Sequence, residues 1–368
     1  MIVGILKEIK LSENRVSMTP SGVDMMVRHG HTVLVEKSAG NGSGFSDMEY
    51  KAAGGKIVDT PEEIFAQAAM VMHVKEILPS EYHWVRPGQI VFAYLHLAAD
   101  LQQINALMES QCIAVAYETV ESPNGNLPLL QPMSEVAGRM SIQVSAHFLE
   151  MSQGGRGILL GGVPGVAPAK VVILGGGVVG TNAAKMASGL GADVTILDKN
   201  LDRLRYLSDT MPANCKFLMS NQMTVHEEIK TADVLIGAVL VAGGKTPQLV
   251  TREMISTMKK GAVMVDVAID QGGCFETSHP TTHQDPVYMV DDVIHYCVGN
   301  MPGAVARTST FALTNSTLPY AIALADKGWQ QAMKDDPALF KGLNICNSKI
   351  VYRPVAEAFD LEYSPLEL

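Results

Sequence analysis

The stretch Lys170-Val-Val-Ile-Leu-Gly-Gly-Gly-Val-Val-Gly180 constrains the fold more than any other part of the chain. The apolar run after Lys170 reads as a buried strand, and it leads directly into Gly-x-Gly-x-x-Gly and then a helical pattern. Gly175 suits a tight turn, Gly177 a close approach of backbone to a pyrophosphate, and Gly180 the packing of helix on strand. The helix N-terminus presents N–H groups and the positive end of its dipole to phosphate. A second apolar run, Ala192 to Leu197, ends on Asp198. An acid about 20 residues beyond such glycines is the expected ribose ligand. Its carboxylate accepts from a 2′-hydroxyl and repels a 2′-phosphate, so the expected cofactor is NAD rather than NADP.

A chain of 368 residues has room for two domains, and 47% hydrophobic content is enough to build both cores. Aromatic residues make up only 6% and the net charge is −10, which argues against a nucleic-acid partner. Cys112, Cys215, Cys274, Cys297 and Cys346 show no CxxC spacing, and most, such as Cys112 and Cys297 beside apolar runs, read as small buried hydrophobes. That usage fits a reducing, cytoplasmic location, and the N-terminus lacks the pattern of a signal peptide. Residues 158–180 carry one charge, Lys170, but Pro164, Pro168 and several glycines mark a linker feeding a strand rather than a membrane span.

Apolar runs at 2–6, 32–35, 70–74, 90–95 and 113–117 alternate with helical patterns, which predicts parallel α/β architecture. A helix is expected from Met133 to about Ser152, then a Gly/Pro-rich hinge to Pro168. Strands expected at 171–174, 192–197, 216–219, 233–239, 262–269 and 293–298 complete a doubly wound sheet. Beyond a helix at Ser309 to Lys327 the tail is rich in helix formers. The fold class is α/β with two domains. Residues 131–306 form a Rossmann NAD-binding domain inserted into a discontinuous α/β substrate domain, 1–130 with 307–368.

Four predicted strands lead to an ionisable residue: Lys75, His96, Asp198 and Asp270. In open α/β sheets, ligands bind outside the carboxyl ends of the strands. Hydride transfer from an amino or hydroxy acid needs a cation for the carboxylate, and Arg15 and Lys75 are candidates. It needs a proton carrier near neutral pH, for which His96 is the candidate. Asp270 is placed to orient a water or an amine. His29, His31, His83, His226, His279 and His283 read as solvated, His147 and His295 as packed, and His73 receives little weight. Asp266, inside a strand, reads as a partner for neighbouring backbone.

With these residues in place, the chain resembles the alanine dehydrogenase family, which includes the NAD-binding subunit of proton-translocating transhydrogenase. The resemblance runs from end to end. It rests on Gly4-Ile-Leu-Lys-Glu-Ile9, Asn14-Arg-Val16, Glu36-Lys-Ser-Ala-Gly40, Val74-Lys-Glu76, Tyr94-Leu-His96, Pro132-Met-Ser-Glu-Val-Ala-Gly138, Val265-Asp-Val-Ala-Ile-Asp-Gln-Gly-Gly273 and Asn300-Met-Pro-Gly-Ala-Val305. It implies that Arg15 and Lys75 hold the carboxylate of pyruvate or alanine, that His96 donates and accepts the proton, and that Asp270 assists beside the nicotinamide. It also implies that Ser134, Val178, Val179, Asp198, Arg203, Ser220, Val239, Leu240, Val267, Ala268, Ile269, Asp270, Val298, Gly299, Asn300 and Met301 surround NAD. His279 lies where relatives present a basic residue to the cofactor. A homohexamer is expected, with small-molecule substrates and no membrane partner. Some members carry a metal after the position of Thr317; here that helix offers Asp326 and Lys327, so no metal is expected. The alternatives are a transhydrogenase subunit, against which Lys75 and His96 weigh, or a dehydrogenase of another small amino or 2-hydroxy acid.

Overall fold

The computed structural model describes residues 1–239 and 246–366; Leu240 lies outside them. Two compact units divide the chain, Met1–Met133 with Gly303–Leu368, and Ser134–Pro302.

The first unit opens with six parallel strands: β1 (Ile2–Ile5), β2 (Thr32–Glu36), β3 (Lys56–Val58), β4 (Met70–Met72), β5 (Ile90–Ala93) and β6 (Ile113–Ala116), in the order β6-β5-β4-β1-β2-β3. Every residue of β4, β5 and β6 is buried, as expected of parallel strands covered on both faces. Local chemistry starts the crossover helices. Thr19 accepts from the Gly22 N–H, and Pro20 occupies the first turn of Pro20–Arg28.

The second unit holds β7 (Lys170–Leu174), β8 (Asp193–Asp198), β9 (Cys215–Met219), β10 (Val234–Gly237), β11 (Val263–Asp266), β12 (Val287–Val290) and β13 (Val293–Tyr296), in the order β12-β13-β11-β10-β7-β8-β9. Only β12 among them is antiparallel. It returns through Asp291 and Asp292, both at positive φ, a two-residue turn that the strand pattern did not reveal. The order reverses at β7, with β8 on one side and β10 on the other, which makes the carboxyl ends of β7 and β10 a topological switch point.

Part of the tail beyond Lys327 departs from its helical composition. Helices Trp329–Asp335, Pro337–Lys341 and Arg353–Ala358 flank a hairpin, β14 (Leu343–Cys346) and β15 (Lys349–Ile350). β14 pairs antiparallel with β6, and Ile345 is fully buried in the core built by Val71, Val91 and Ala114. Asn347 and Ser348 at positive φ close the hairpin. A short strand that exists because an open sheet edge accepts it leaves little local signature.

Three strands stop earlier than their apolar runs suggest. β4 ends at Met72, β5 at Ala93 and β11 at Asp266, so Lys75, His96 and Asp270 stand in the connections beyond. Glu8 takes the N–H groups of Val74 and Lys75, and Glu118 those of Leu95 and His96, in place of strand neighbours. Two histidines also differ from expectation. His31 is buried between the Met1 amino group and Asp326, and His147 is exposed on helix Gln131–Phe148. Among the described residues no helix is long and apolar enough to cross a membrane.

Candidate active site

In the first unit, Arg15 is 2% exposed, and a buried guanidinium needs an acid. Glu13 supplies it bidentately, accepting from Nε at 2.8 Å and Nη2 at 2.6 Å, while Nη1 meets Met133 Sδ at 3.1 Å. Burial works to lower the Arg15 pKa, but the Glu13 hydrogen bonds and charge outweigh it and the net shift is upward. The guanidinium is thereby fixed in plane and in charge. Glu8 also acts on that charge, and Tyr94 lies beside the guanidinium. They link Arg15 to the other two candidates, since Glu8 accepts from the Lys75 N–H at 3.4 Å and the Tyr94 ring stacks on His96 with centroids 6.0 Å apart.

His96 adopts φ 50°, a left-handed conformation that costs a non-glycine residue about 1–3 kcal/mol. Glu118 holds it there, with Oε1 accepting from the His96 N–H at 2.6 Å and both oxygens accepting from Leu95. The turn aims an exposed imidazole out of a buried strand end. Tyr94 donates to the Leu129 carbonyl, and its phenol is pushed well above the ordinary range, chiefly by burial. It is therefore a neutral stacking platform rather than a proton carrier.

In the second unit, the glycine turn forms as its spacing requires. Gly175 has φ +100°, and a Cβ there would come within 2.7 Å of the Ala238 carbonyl oxygen. At Gly180 a Cβ would lie 1.8 Å from the Gly175 carbonyl oxygen. Gly177 differs, because among the described residues a Cβ there would meet nothing within 4 Å. Packing against the described residues does not demand a glycine at that point, whereas a phosphate seated against the backbone does. No side chain caps helix Val178–Gly189, whose first-turn N–H groups keep their capacity for an anion. Asp198 ends β8 and accepts from the Gly176 N–H at 2.6 Å and the Asn200 N–H at 2.8 Å. A carboxylate offers about four lone-pair sites, which leaves capacity for a ribose hydroxyl. Arg203 grips the turn from outside, donating to the Gly176 carbonyl and, at 2.8 Å, to Thr181. These features fit a dinucleotide.

The remaining expected cofactor residues of this unit, Ser134 apart, follow carboxyl ends of its parallel strands: Val178 and Val179 after β7, Ser220 after β9, Val239 after β10, Val267, Ala268 and Ile269 after β11, and Val298, Gly299, Asn300 and Met301 after β13. Ser134 lies in helix Gln131–Phe148, where Gly138 lets the helix approach the glycine turn, since a Cβ would lie 2.2 Å from the Val179 carbonyl oxygen. Asp270 reaches the last of these loops: its Oδ2 lies 3.4 Å from the Asn300 N–H, and a Cβ on Gly299 would come 2.9 Å from its Oδ1. Beneath this loop Asp266 is buried and accepts from Ala268, Cys274 and Ser278. Burial raises its pKa, against the opposing pull of those hydrogen bonds. His279 stacks on Tyr288 with centroids 3.6 Å apart.

Glu8, Glu13 and Glu118 escaped the sequence reading. Glu118 follows strand β6 as His96 follows β5, so the strand-end rule had the information to find it. Glu8 and Glu13 lie in irregular chain, where only tertiary contacts reveal them. Among the described residues no group of three or more His, Cys, Asp or Glu side chains could hold a metal ion.

Known proteins resemble this chain over its whole length. Residues 4–137 match the alanine dehydrogenase/PNT N-terminal domain and residues 141–353 the alanine dehydrogenase/PNT C-terminal domain. The chain is 55% identical to an alanine dehydrogenase of Methanococcus maripaludis, covering 100% of this chain and 99% of that one. It is also 55% identical to an alanine dehydrogenase of Bacillus subtilis, covering 100% and 97%. A solved L-alanine dehydrogenase superposes with a TM-score of 0.95 at 52% identity, over 98% of this chain and 99% of that one. A transhydrogenase from Sinorhizobium meliloti shares the fold, with a TM-score of 0.82 at 24% identity over 96% and 99%. The chain belongs to the alanine dehydrogenase/PNT family.

Proposed function

We propose that the chain is an NAD-dependent alanine dehydrogenase, interconverting L-alanine and water with pyruvate and ammonia. The observation that carries the reading is that Arg15 has Glu8 in common with the Lys75 backbone and Tyr94 in common with the His96 ring, in a chain 55% identical to alanine dehydrogenases. Bound NAD would supply the hydride-transfer chemistry at Cα. Arg15 and Lys75 hold the substrate carboxylate, the first as a planar fork and the second as a point charge. His96 takes a proton as water adds to the imine and gives it back in the opposite direction. Asp270 orients the water or the amine. The backbone at Gly175, Gly177 and Gly180 accommodates the pyrophosphate and Asp198 accepts from the ribose. Ser134, Arg203, Ser220, Val239 and the loops 267–270 and 298–301 complete the contacts.

In this reading residues 1–130 and 307–368 form the substrate domain and 131–306 the NAD domain. The enzyme is cytoplasmic and assembles as a homohexamer of the 39.5 kDa chain, which light scattering tests. The test of activity is NAD reduction on addition of L-alanine, with L-lactate as control. Reduction with alanine alone supports the reading, and reduction with lactate alone overturns it.

A further inference from the structure

His73 is 1% exposed and lies just beyond β4, yet it is not packed among apolar side chains alone. Its Nδ1 lies 3.0 Å from Glu8 Oε1 and its Nε2 3.3 Å from Glu81 Oε1. The second approach is electrostatic rather than an aligned hydrogen bond. Glu36 also faces the ring. Burial would lower the imidazole pKa, but Glu8 and Glu81 overcome this and push it up to about 10. The ring is therefore a buried cation between two buried acids.

Both acids have a second task. Glu8 accepts from the backbone N–H of Val74 at 2.6 Å and of Lys75 at 3.4 Å. Glu81 accepts from the backbone N–H of Leu78 at 2.8 Å. Residues 74–78 lie outside any helix or strand. They are held at one end by Glu8, at the other by Glu81, and between them by the pairing of Lys10 with Glu76. His73 lies against both end carboxylates. Without its charge two buried acids would have to share one site, and one of them would take up a proton and weaken its grip on the backbone.

We propose that His73 is a positioning residue for substrate binding: as an imidazolium it brackets Glu8 and Glu81, and through them it fixes the segment that presents Lys75. The inference rests on the assignment of Lys75 to the substrate carboxylate. It makes His73 a determinant of the response to pyruvate without contact with substrate.

The experiment compares KM for pyruvate, KM for NADH and kcat in the wild-type chain, His73→Gln, His73→Lys and Lys75→Ala. The expected result is a rise of about tenfold or more in pyruvate KM for His73→Gln, with NADH KM within about twofold, and recovery in His73→Lys, which restores a cation. Should His73→Gln fail to fold, Glu81→Gln loosens the same bracket from its other end and is expected to raise pyruvate KM in the same direction. The proposal is overturned if pyruvate KM stays within about twofold of wild type in the folded variant while Lys75→Ala raises it strongly. It is also overturned if both KM values rise together, which marks general loosening. If Lys75→Ala itself leaves pyruvate KM unchanged, the carboxylate assignment falls first and takes this inference with it.

Discussion

The two units build their strand-end sites by opposite means. In the second unit the site at β7 is made by leaving side chains out. Gly175 and Gly180 have no room for a Cβ, and Gly177 leaves space that none of the described residues fills. In the first unit the site beyond β4 and β5 is made by putting side chains in. Glu8, Glu13 and Glu118 are carboxylates that grip backbone N–H groups or a buried guanidinium and so fix Lys75, Arg15 and His96. A phosphate is recognised by backbone and so needs only clearance. A carboxylate and a proton are handled by side chains, and those need support from elsewhere in the fold.

The comparison breaks most visibly at His96. His96→Ala is expected to lower turnover by about 10²–10⁴-fold, the usual contribution of a general acid–base, with NADH affinity unchanged. Stopped-flow turnover and NADH fluorescence titration check this, and near-normal turnover would remove the residue from the chemistry. The next effect belongs to the glycine turn. Gly180→Ala drives a Cβ against backbone and is expected to cost about 1–3 kcal/mol of stability. Gly177→Ala is expected to leave Tm unchanged while weakening NADH binding on the order of tenfold. Thermal melts with and without NADH separate the two, and equal loss of stability in both would refute the distinction drawn between the glycines.

A smaller effect is expected at Glu118. Replacement by Gln keeps an acceptor but removes the charge, a loss of about 1 kcal/mol in the hydrogen bond, or about fivefold in turnover. An unchanged kcat would mean that φ 50° at His96 is held by packing alone. The smallest expected effect is a slope with pH. The folded-state pKa of His73, about 10, lies above the ordinary 6.5. Its stabilisation is thus complete below pH 6.5 and lost as pH rises through 10. The Tm advantage of wild type over His73→Gln should shrink from pH 7 to pH 10, and a constant difference would show the ring is neutral.

The same contrast explains what could be read without the structure. The glycine turn, Asp198 and the doubly wound sheet were legible because each is local, with a strand, a spacing and an acid at the next strand end. The two-domain α/β fold, and the family membership that rested on motifs along the whole chain, agree with the L-alanine dehydrogenase superposition. β12 and β14 were not legible: β12 turns into β13 through Asp291-Asp292, without the glycine that marks the usual two-residue hairpin, and β14 exists by pairing with β6, far earlier in the chain. The supports of the first-unit candidates were hidden for a similar reason. Glu8 is 65 residues from His73, and Glu118 is 22 from His96, so nothing in either neighbourhood announces the contact.

The central claim is that the chain transfers hydride in an amination, with proton transfer served by His96. Oxidation of NADH by the full chain, with pyruvate plus ammonium and with pyruvate alone, tests it most directly. The account predicts rapid oxidation only when ammonium is present. Equal oxidation without ammonium would identify hydroxy-acid chemistry and contradict it.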